Sequence, residues 1–571
     1  MPTPRYDVTH PSYKWVALSN TTLGVLLATV NASIVLISLP AIFRGIELDP
    51  LEPSNVSYLL WMLMGYLLVT AVLVVSLGRL GDMYGRVKMY NAGFAVFAAA
   101  SVLLALVPWT GSAGALWLIG FRVVQGVGGA MLMANSTAIL TDAFPTHQRG
   151  MALGINQVAA LAGSFIGLVL GGLLAEWHWR AVFWVSVPIG LVGTVWAYRS
   201  LHEVGSRGKG RIDWLGNITF GVGLTALLAG ITYGIQPYGG HDTGWTNPWV
   251  VAGLVGGVGL LVVFWFVERR VEYPMFHLEL FRDRTFAYGN AATLLASIAR
   301  GGLQFMLIIW LQGVWLPLHG YDYESTPLWA GIYLVPLTIG FLVSGPVSGH
   351  LSDKYGSRMF AFIGLMLAAA SFVGLLLLPV NFSYGWFAAL IALNGIGSGL
   401  FAAPNTSAIM GSVKPQDRGA ASGMRATFMN AGMLLSIGVF FSLMIAGLAK
   451  HLPSQLSSSL TAQGVPADTA HQIAGLPPVG SLFAAFLGYN PMRELLGPDV
   501  LAKLSPDHAA TLVGKTYFPQ LISGPLHDGL VVVFLTAAVM CALGAVLSLA
   551  KPRPLPDAVD EAAAQEVLTA R

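Results

Sequence analysis

The sequence predicts an all-α membrane protein: two related six-helix bundles with two further transmembrane helices between them, fourteen helices in all. Three observations predict it. Hydrophobic residues make up 55% of the 571 and charged residues only 10%, against roughly 25% charged in a soluble domain. The apolar residues fall into runs of about 20, long enough to cross the hydrocarbon core of a bilayer as helices. Finally, the string GRLGDMYGRVK (78–88) is echoed by GHLSDKYGSR (349–358), each copy at the end of an apolar run. A repeated loop at matched places in two halves is expected of a transporter built from internal repeats.

The runs lie at about 15–43, 55–77, 89–108, 115–141, 150–175, 180–199, 214–235, 247–267, 286–316, 327–348, 360–379, 385–412, 420–449 and 529–550. They do not alternate apolar with polar residues, as strands of a membrane barrel would. Residues 1–200 carry the first six spans. Residues 201–285 form a linker with two extra spans, 286–551 carry the last six, and 552–571 form a tail. The second copy of the repeated loop follows span 10, the second span of the second bundle, and that register sets the division. Residues 450–528 form a Pro- and Ser-rich insert, and its apolar stretch Leu482–Leu487 suits a membrane surface.

Orientation follows the Lys and Arg of short loops. Arg79, Arg86 and Lys88 follow span 2, Arg199 follows span 6, Arg269 and Arg270 follow span 8, and Lys354 and Arg358 follow span 10. The alternate loops carry Glu47, Asp49, Glu52, Asp322 and Glu324. Both termini are therefore expected in the cytoplasm of a multi-pass cell-membrane protein, with the first span uncleaved. Cys541 stands alone, and no metal-ligand spacing, Ser elbow or phosphate-binding loop is found. The expectations are no enzyme activity, no cofactor, no metal, no nucleic-acid partner and a monomeric chain among membrane lipids.

Further strings carry a family resemblance. Residues 118–130, LIGFRVVQGVGGA, place Arg122, Gln125 and Gly126 on span 4. Residues 177–190, WHWRAVFWVSVPIG, enter span 6, and DWLG (213–216) enters the first extra span. With the repeated loop, these resemble the major facilitator superfamily, specifically its fourteen-span drug:proton antiporter branch. That resemblance implies two bundles that alternate in access and a repeated loop that works as the inner gate. Two positions depart from the branch. Asn31 stands where the first span usually bears an acid, and Leu168 stands where span 5 usually has Pro after Gly167.

Ionisable groups deep in a span are functional candidates. The spans hold Arg122, Arg300 and Arg425 and no acid well inside. Arginine stays protonated and grips anions bidentately, so these residues suit a polar or anionic group of the substrate rather than a proton cycle. The candidate cavity residues are Asn31, Tyr66, Arg122 and Gln125 in the first bundle. In the second they are Arg300, Gln304, one turn further along the same face, Tyr333 and Arg425. Each has a plainer reading: Arg122 bonding within its own helix, Arg425 snorkelling to the interface, and Trp61, Trp310 and Trp329 as interfacial anchors. The candidate gate is Gly78, Asp82, Gly85 and Arg86, with Asp353, Gly356 and Arg358 in the second copy. A coupling proton leaves Asp142, Glu176, Asp322 and Glu324 as candidates, each with the plainer reading of a solvated loop charge, which comes first. Gly163, Gly167 and Gly171 offer span 5 a small-residue face for close packing.

The functional expectation is a secondary transporter that exports amphiphilic or hydrophobic compounds, with proton-coupled drug efflux as the family's pattern. The charge map keeps a second reading open, translocation of an anionic lipid or lipid-like metabolite with weak or no proton coupling. A third is a membrane scaffold or sensor that does not transport.

Overall fold

Long apolar runs without backbone partners in lipid must satisfy their own hydrogen bonds, and helices do so. In the computed structural model, which describes residues 10, 12–48, 52, 55–204, 213–239, 243–414, 418–486 and 490–550, every long run is helical. Among the described residues, fourteen helices are long and apolar enough to cross a membrane. The first bundle comprises α1 (Tyr13–Gly45), α2 (Asn55–Tyr84), α3 (Arg86–Ala105), α4 (Gly111–Ala143), α5 (Thr146–Trp177) and α6, which runs Ala181–Trp184 and then Ser186–Ser200. The extra pair is α7 (Trp214–Gly234) and α8 (Pro248–Glu268). In the second bundle, α9 runs Arg284–Trp310 and continues through a π-helical turn, Leu311–Trp315. Helix α10 runs Thr326–Tyr333 and Val335–Tyr355, followed by α11 (Ser357–Leu376), α12 (Tyr384–Gly411) and α13 (Arg418–Ala462).

The insert is helical. Helix α13 runs through Pro453 to Ala462, beyond the expected end of its span, and four short helices follow. These are α14 (Ala467–Ala474), α15 (Pro478–Phe486), α16 (Met492–Leu501) and α17 (Pro506–Leu512). The last span, α18 (Tyr517–Leu549), begins a dozen residues before the point where apolar composition becomes continuous. Helix α15 packs on α13, α9, α18 and α2. Its backbone is thus held by protein from both bundles; Leu487 and the side chains of Leu482, Phe483, Ala485 and Phe486, on which the membrane-surface expectation rests, lie outside the described residues.

Within the first bundle α5 packs on α1, and α2 and α3 pack on α4. The equivalent second-bundle layers are α13 on α9, and α10 and α11 on α12, with α18 closing against α9, α11 and α13. The bundles meet where α2 crosses α13 and where α5 meets the first half of α10. Helices α7 and α8 pair with each other, and α7 touches both α2 and α13.

The α5 glycines do what their spacing predicts. A methyl group at Gly163 would crowd Thr29, one at Gly167 would strike the Val30 carbonyl, and one at Gly171 would lie 2.7 Å from the Ile34 carbonyl. Leu168, in place of the expected Pro, is buried and presents its carbonyl to Gly331 of α10, across the bundle boundary. Trp310 is not an interfacial anchor. It is buried, with Phe382 edge-on at 4.8 Å and Phe534 at 6.1 Å.

Candidate functional site

Four of the cavity candidates converge in the first bundle. Arg122 is 1% exposed, and its guanidinium lies 4.6 Å from the centre of the Tyr66 ring. Its Nη1 donates to Asn31 Oδ1 and to Gln125 Oε1 (2.8 Å), and its Nε donates to the Met62 carbonyl (3.3 Å). A second layer orients these acceptors. Asn31 Nδ2 donates to Ser186 Oγ (3.2 Å), Gln125 Nε2 donates to Ser101 Oγ (2.8 Å), and the Tyr66 hydroxyl donates to the Ala28 carbonyl (3.0 Å). The guanidinium is therefore solvated by amides and a ring face, with no carboxylate among its partners. Arg122 also reaches α1 and α2, so its bonding is not confined to its own helix. Ser101 and Ser186 carried no sequence signal, because serines in apolar runs usually bond their own helix.

Arg300 has a different environment. It is partly buried midway along α9 with its guanidinium 4.6 Å from the centre of the Phe341 ring. Among the described residues neither Arg300 nor the partly buried Gln304 makes a side-chain hydrogen bond or ion pair. Arg425 on α13 is also partly buried, and its Nε is enclosed without a partner among the described residues. Tyr333 joins an aromatic cluster. Its hydroxyl bonds that of Tyr321 (2.7 Å), and its ring lies 4.5 Å from that of Tyr384 and 5.6 Å from that of Trp315. The π-helical turn of α9 buries Gln312 with both amide atoms unpartnered; such turns are frequent at functional sites.

The repeated loop is a network rather than a bare turn. Arg86 Nε donates to Asp82 Oδ1 (2.7 Å), and Arg86 Nη1 donates to Asp142 of α4 (2.6 Å). Gly85 has φ 118° and Gly356 has φ 85°, so both copies use glycine in a backbone conformation that other residues resist. The expected close approach is made by Gly81, which faces Asn135, and not by Gly78, whose nearest neighbour would be at an ordinary 3.5 Å. Glu203 accepts from the Lys88 amide (2.9 Å) at the start of α3. In the second copy the Arg358 Nε is enclosed without a partner among the described residues, and the Asp353 side chain lies outside them.

Of the proton candidates, Asp142 is committed to Arg86, while Asp322 and Glu324 are exposed, Asp322 paired with Lys515 of the insert. Two acids outside the candidate set are buried. Asp213 is 5% exposed and Glu268 is 3% exposed. Each stands at the end of an apolar run, where sequence reads it as a loop charge. The DWLG string was the signal for Asp213; Glu268, beside Arg269 and Arg270, had none.

The Major Facilitator Superfamily model matches residues 21–214 and again 214–437. The chain is 26% identical to the riboflavin transporter RibZ of Clostridioides difficile (strain 630) over 434 residues, which is 75% of this chain and 88% of that protein. It is 27% identical to the tetracenomycin C resistance and export protein of Streptomyces glaucescens, covering 82% and 84%. It is 25% identical to the multidrug transporter protein MdtP of Bacillus subtilis (strain 168), covering 94% and 93%. Among solved structures, a bacterial homologue of the lysosomal transporter Spinster, inward-facing and occupied, superposes with a TM-score of 0.55 at 16% identity, covering 96% of this chain and all of that one. With the family model spanning both bundles and multidrug exporters among its relatives, the chain belongs to the Major Facilitator Superfamily and is a multi-pass membrane transporter, not an enzyme.

Proposed function

We propose that the protein exports an amphiphilic compound bearing a polar or anionic group by alternating access between its bundles, with both termini cytoplasmic. The observation that carries this is Arg300. A guanidinium partway into a span, with an aromatic face on one side and no hydrogen-bond partner among the described residues, offers an unused cationic donor set in the second bundle. Arg122 differs because amides already occupy it. A substrate with an apolar body and an anionic or polar end supplies what Arg300 lacks: a ring contact at Phe341 and an acceptor for its N–H groups. The similarity to an antibiotic exporter and to multidrug transporters supports outward drug efflux, and proton coupling belongs to this proposal as its driving force. Arg425 is a secondary contact, and Asn31, Tyr66, Arg122 and Gln125 are the first bundle's part of the proposed site.

Reconstituted vesicles test the reading. Carboxyfluorescein and ethidium report anionic and cationic cargo, and an imposed pH gradient reports coupling. Arg300→Gln is expected to cut carboxyfluorescein flux at least about 10-fold, the equivalent of roughly 1.4 kcal/mol in the transition state; Arg300→Lys should retain part of it. Equal flux in all three proteins removes Arg300 from the site.

A second reading, lipid translocation, has one observation of its own. A groove of about 430 Å³ runs along α7 beside Asn217, Gly221 and Thr225, open on one side. Flux of fluorescent phosphatidylglycerol that ignores the pH gradient selects that reading. No flux of any of the three compounds sinks both readings and leaves a non-transporting scaffold.

A further inference from the structure

We propose that Asp213 and Glu268 form a proton-binding pair whose occupancy sets the joint between the extra helices, the repeated loop of α2 and the strap that leads into the second bundle. The inference rests on the transport reading for its purpose but not for its chemistry.

The pair is built from both ends of the α7–α8 hairpin. Asp213 caps α7, its Oδ1 accepting from the Gly216 amide (2.7 Å). Its backbone carbonyl accepts from Asn217 Nδ2 (2.7 Å), and Asn217 Oδ1 in turn accepts from the Ser76 hydroxyl of α2 (2.6 Å). Glu268 ends α8, and its Oε2 accepts from the Phe276 amide (2.7 Å). One oxygen of each carboxyl is thus satisfied. The other two, Asp213 Oδ2 and Glu268 Oε1, are buried and find no donor. Both crowd the same face of Gly216, where an added methyl group would strike each of them. Two enclosed acceptor oxygens side by side, with no donor between them, lack one hydrogen. A single shared proton supplies it, converting a like-charge contact into a carboxyl–carboxylate hydrogen bond.

The surroundings say what the proton controls. The charged group that faces the pair from α2 is Arg79. Arg269, Arg270 and Glu272 beyond α8 are exposed, and α7 contributes Asp213 itself. Arg79 does not spend its donors on the acids. Its Nη1 and Nη2 donate to the carbonyls of Tyr273 (2.9 Å) and Pro274 (3.1 Å). Glu268 and Arg79 therefore hold the same short strap from two sides. Phe276, on that strap, packs against Phe220 of α7, Phe264 of α8 and Phe428 of α13. Loss of the proton leaves two buried negative charges near one guanidinium. Arg79 then turns from the strap carbonyls to the acids, and the strap beside α13 is released. Proton binding is in this way tied to the contact between the first bundle's repeated loop and the second bundle.

The test uses the purified full-length protein. Infrared titration should show a carboxylic-acid C=O band in wild type that disappears as pH is raised. Glu268→Gln and Asp213→Asn should each lack it, and Arg79→Gln should keep it. Asn at 213 retains an acceptor for the Gly216 amide, so its result stands if Glu268→Gln folds poorly. In parallel, maleimide labelling of Tyr273→Cys, with Cys541 buried, should rise several-fold on deprotonation, and the rise should be absent in the Glu268→Gln background. A band that survives both acid substitutions overturns the proposal, as does a wild type without one. So does a band removed by NaCl at constant pH, which makes the pair a sodium site. A band present without carboxyfluorescein or ethidium flux overturns the transport reading alone; flux without the band overturns the proton pair alone.

Discussion

Arg122 and Arg300 are the same side chain on non-equivalent helices, the fourth of the first bundle and the first of the second, and their chemistry differs because of their neighbours. Arg122 is surrounded by amide oxygens and a tyrosine ring, so its charge is dispersed by dipoles rather than cancelled. Asn31 is the residue that decides this. A hydrogen bond to a charged group contributes about 1.5–3 kcal/mol, and the neutral Asn31 amide already supplies one. Asn31→Asp turns that bond into an ion pair that cancels the guanidinium charge, and a rise in thermal midpoint in detergent is expected. An unchanged or lower midpoint means that desolvation of the new carboxylate cancels its attraction to the guanidinium. The charge of Arg122 could be read from an Arg inside an apolar run. Its partners could not: Asn31 lies 91 positions away, and ordinary polar residues in spans do not announce which helix they face. Asp213 and Glu268 failed to stand out for a related reason. A carboxylate at the end of an apolar run looks solvated unless the loop beyond it folds back, and here the strap at Tyr273–Phe276 does so.

Helices in this protein are placed by small residues as much as by large ones. The α5 face of Gly163, Gly167 and Gly171 rests on α1 at backbone distance, whereas Gly154 on the same helix is exposed with open space beside it. Gly167→Leu is expected to cost at least about 1–3 kcal/mol by overpacking, while Gly154→Leu should leave the thermal midpoint unchanged. Equal midpoints would show that α1 and α5 can separate without penalty. The two copies of the repeated loop allow a matched comparison. Gly85→Ala and Gly356→Ala each force a side chain into a left-handed backbone, at about 1–3 kcal/mol. At Gly85 the new methyl group would also strike Glu203, which caps α3, whereas at Gly356 nothing lies within 4 Å. The first substitution should therefore destabilise more than the second; the reverse order would mean that Glu203 moves aside freely. The turn glycines were legible because a repeated G-x-L-x-D-x-Y-G demands them. The helices of the insert were not, because Pro and Ser read as loop while α13 carries its register straight through Pro453.

At the scale of the molecule, the two bundles touch at few places, and those contacts decide which face is shut. Helix α5 meets the first half of α10 so closely that a methyl group on Gly172 would strike the Leu328 backbone, and Gly331 lies against the Leu168 carbonyl. Helix α15 adds a bridge from α2 to α9, α13 and α18. Both contacts lie apart from the repeated loops and close the bundles together on the insert side, while α2 and α13 also meet beside the first loop, where a methyl group on Gly423 would lie 3.4 Å from Val75. The proposed alternating access needs two such arrangements, but which residues hold this one does not follow from hydropathy, since every span looks alike by that measure. Gly172→Ala inserts one methyl group into the α5–α10 contact and touches neither Arg300 nor the repeated loop. Because backbone cannot yield as a flexible side chain does, the closed arrangement should lose population to the other one. Gln304→Cys on α9 reports this: an impermeant maleimide added from the insert side should label it several-fold faster in the Gly172→Ala background, with thermal midpoint little changed. Unchanged labelling at an unchanged midpoint would mean that α15 alone holds the bundles together, and removal of residues 467–501 should then produce the increase instead.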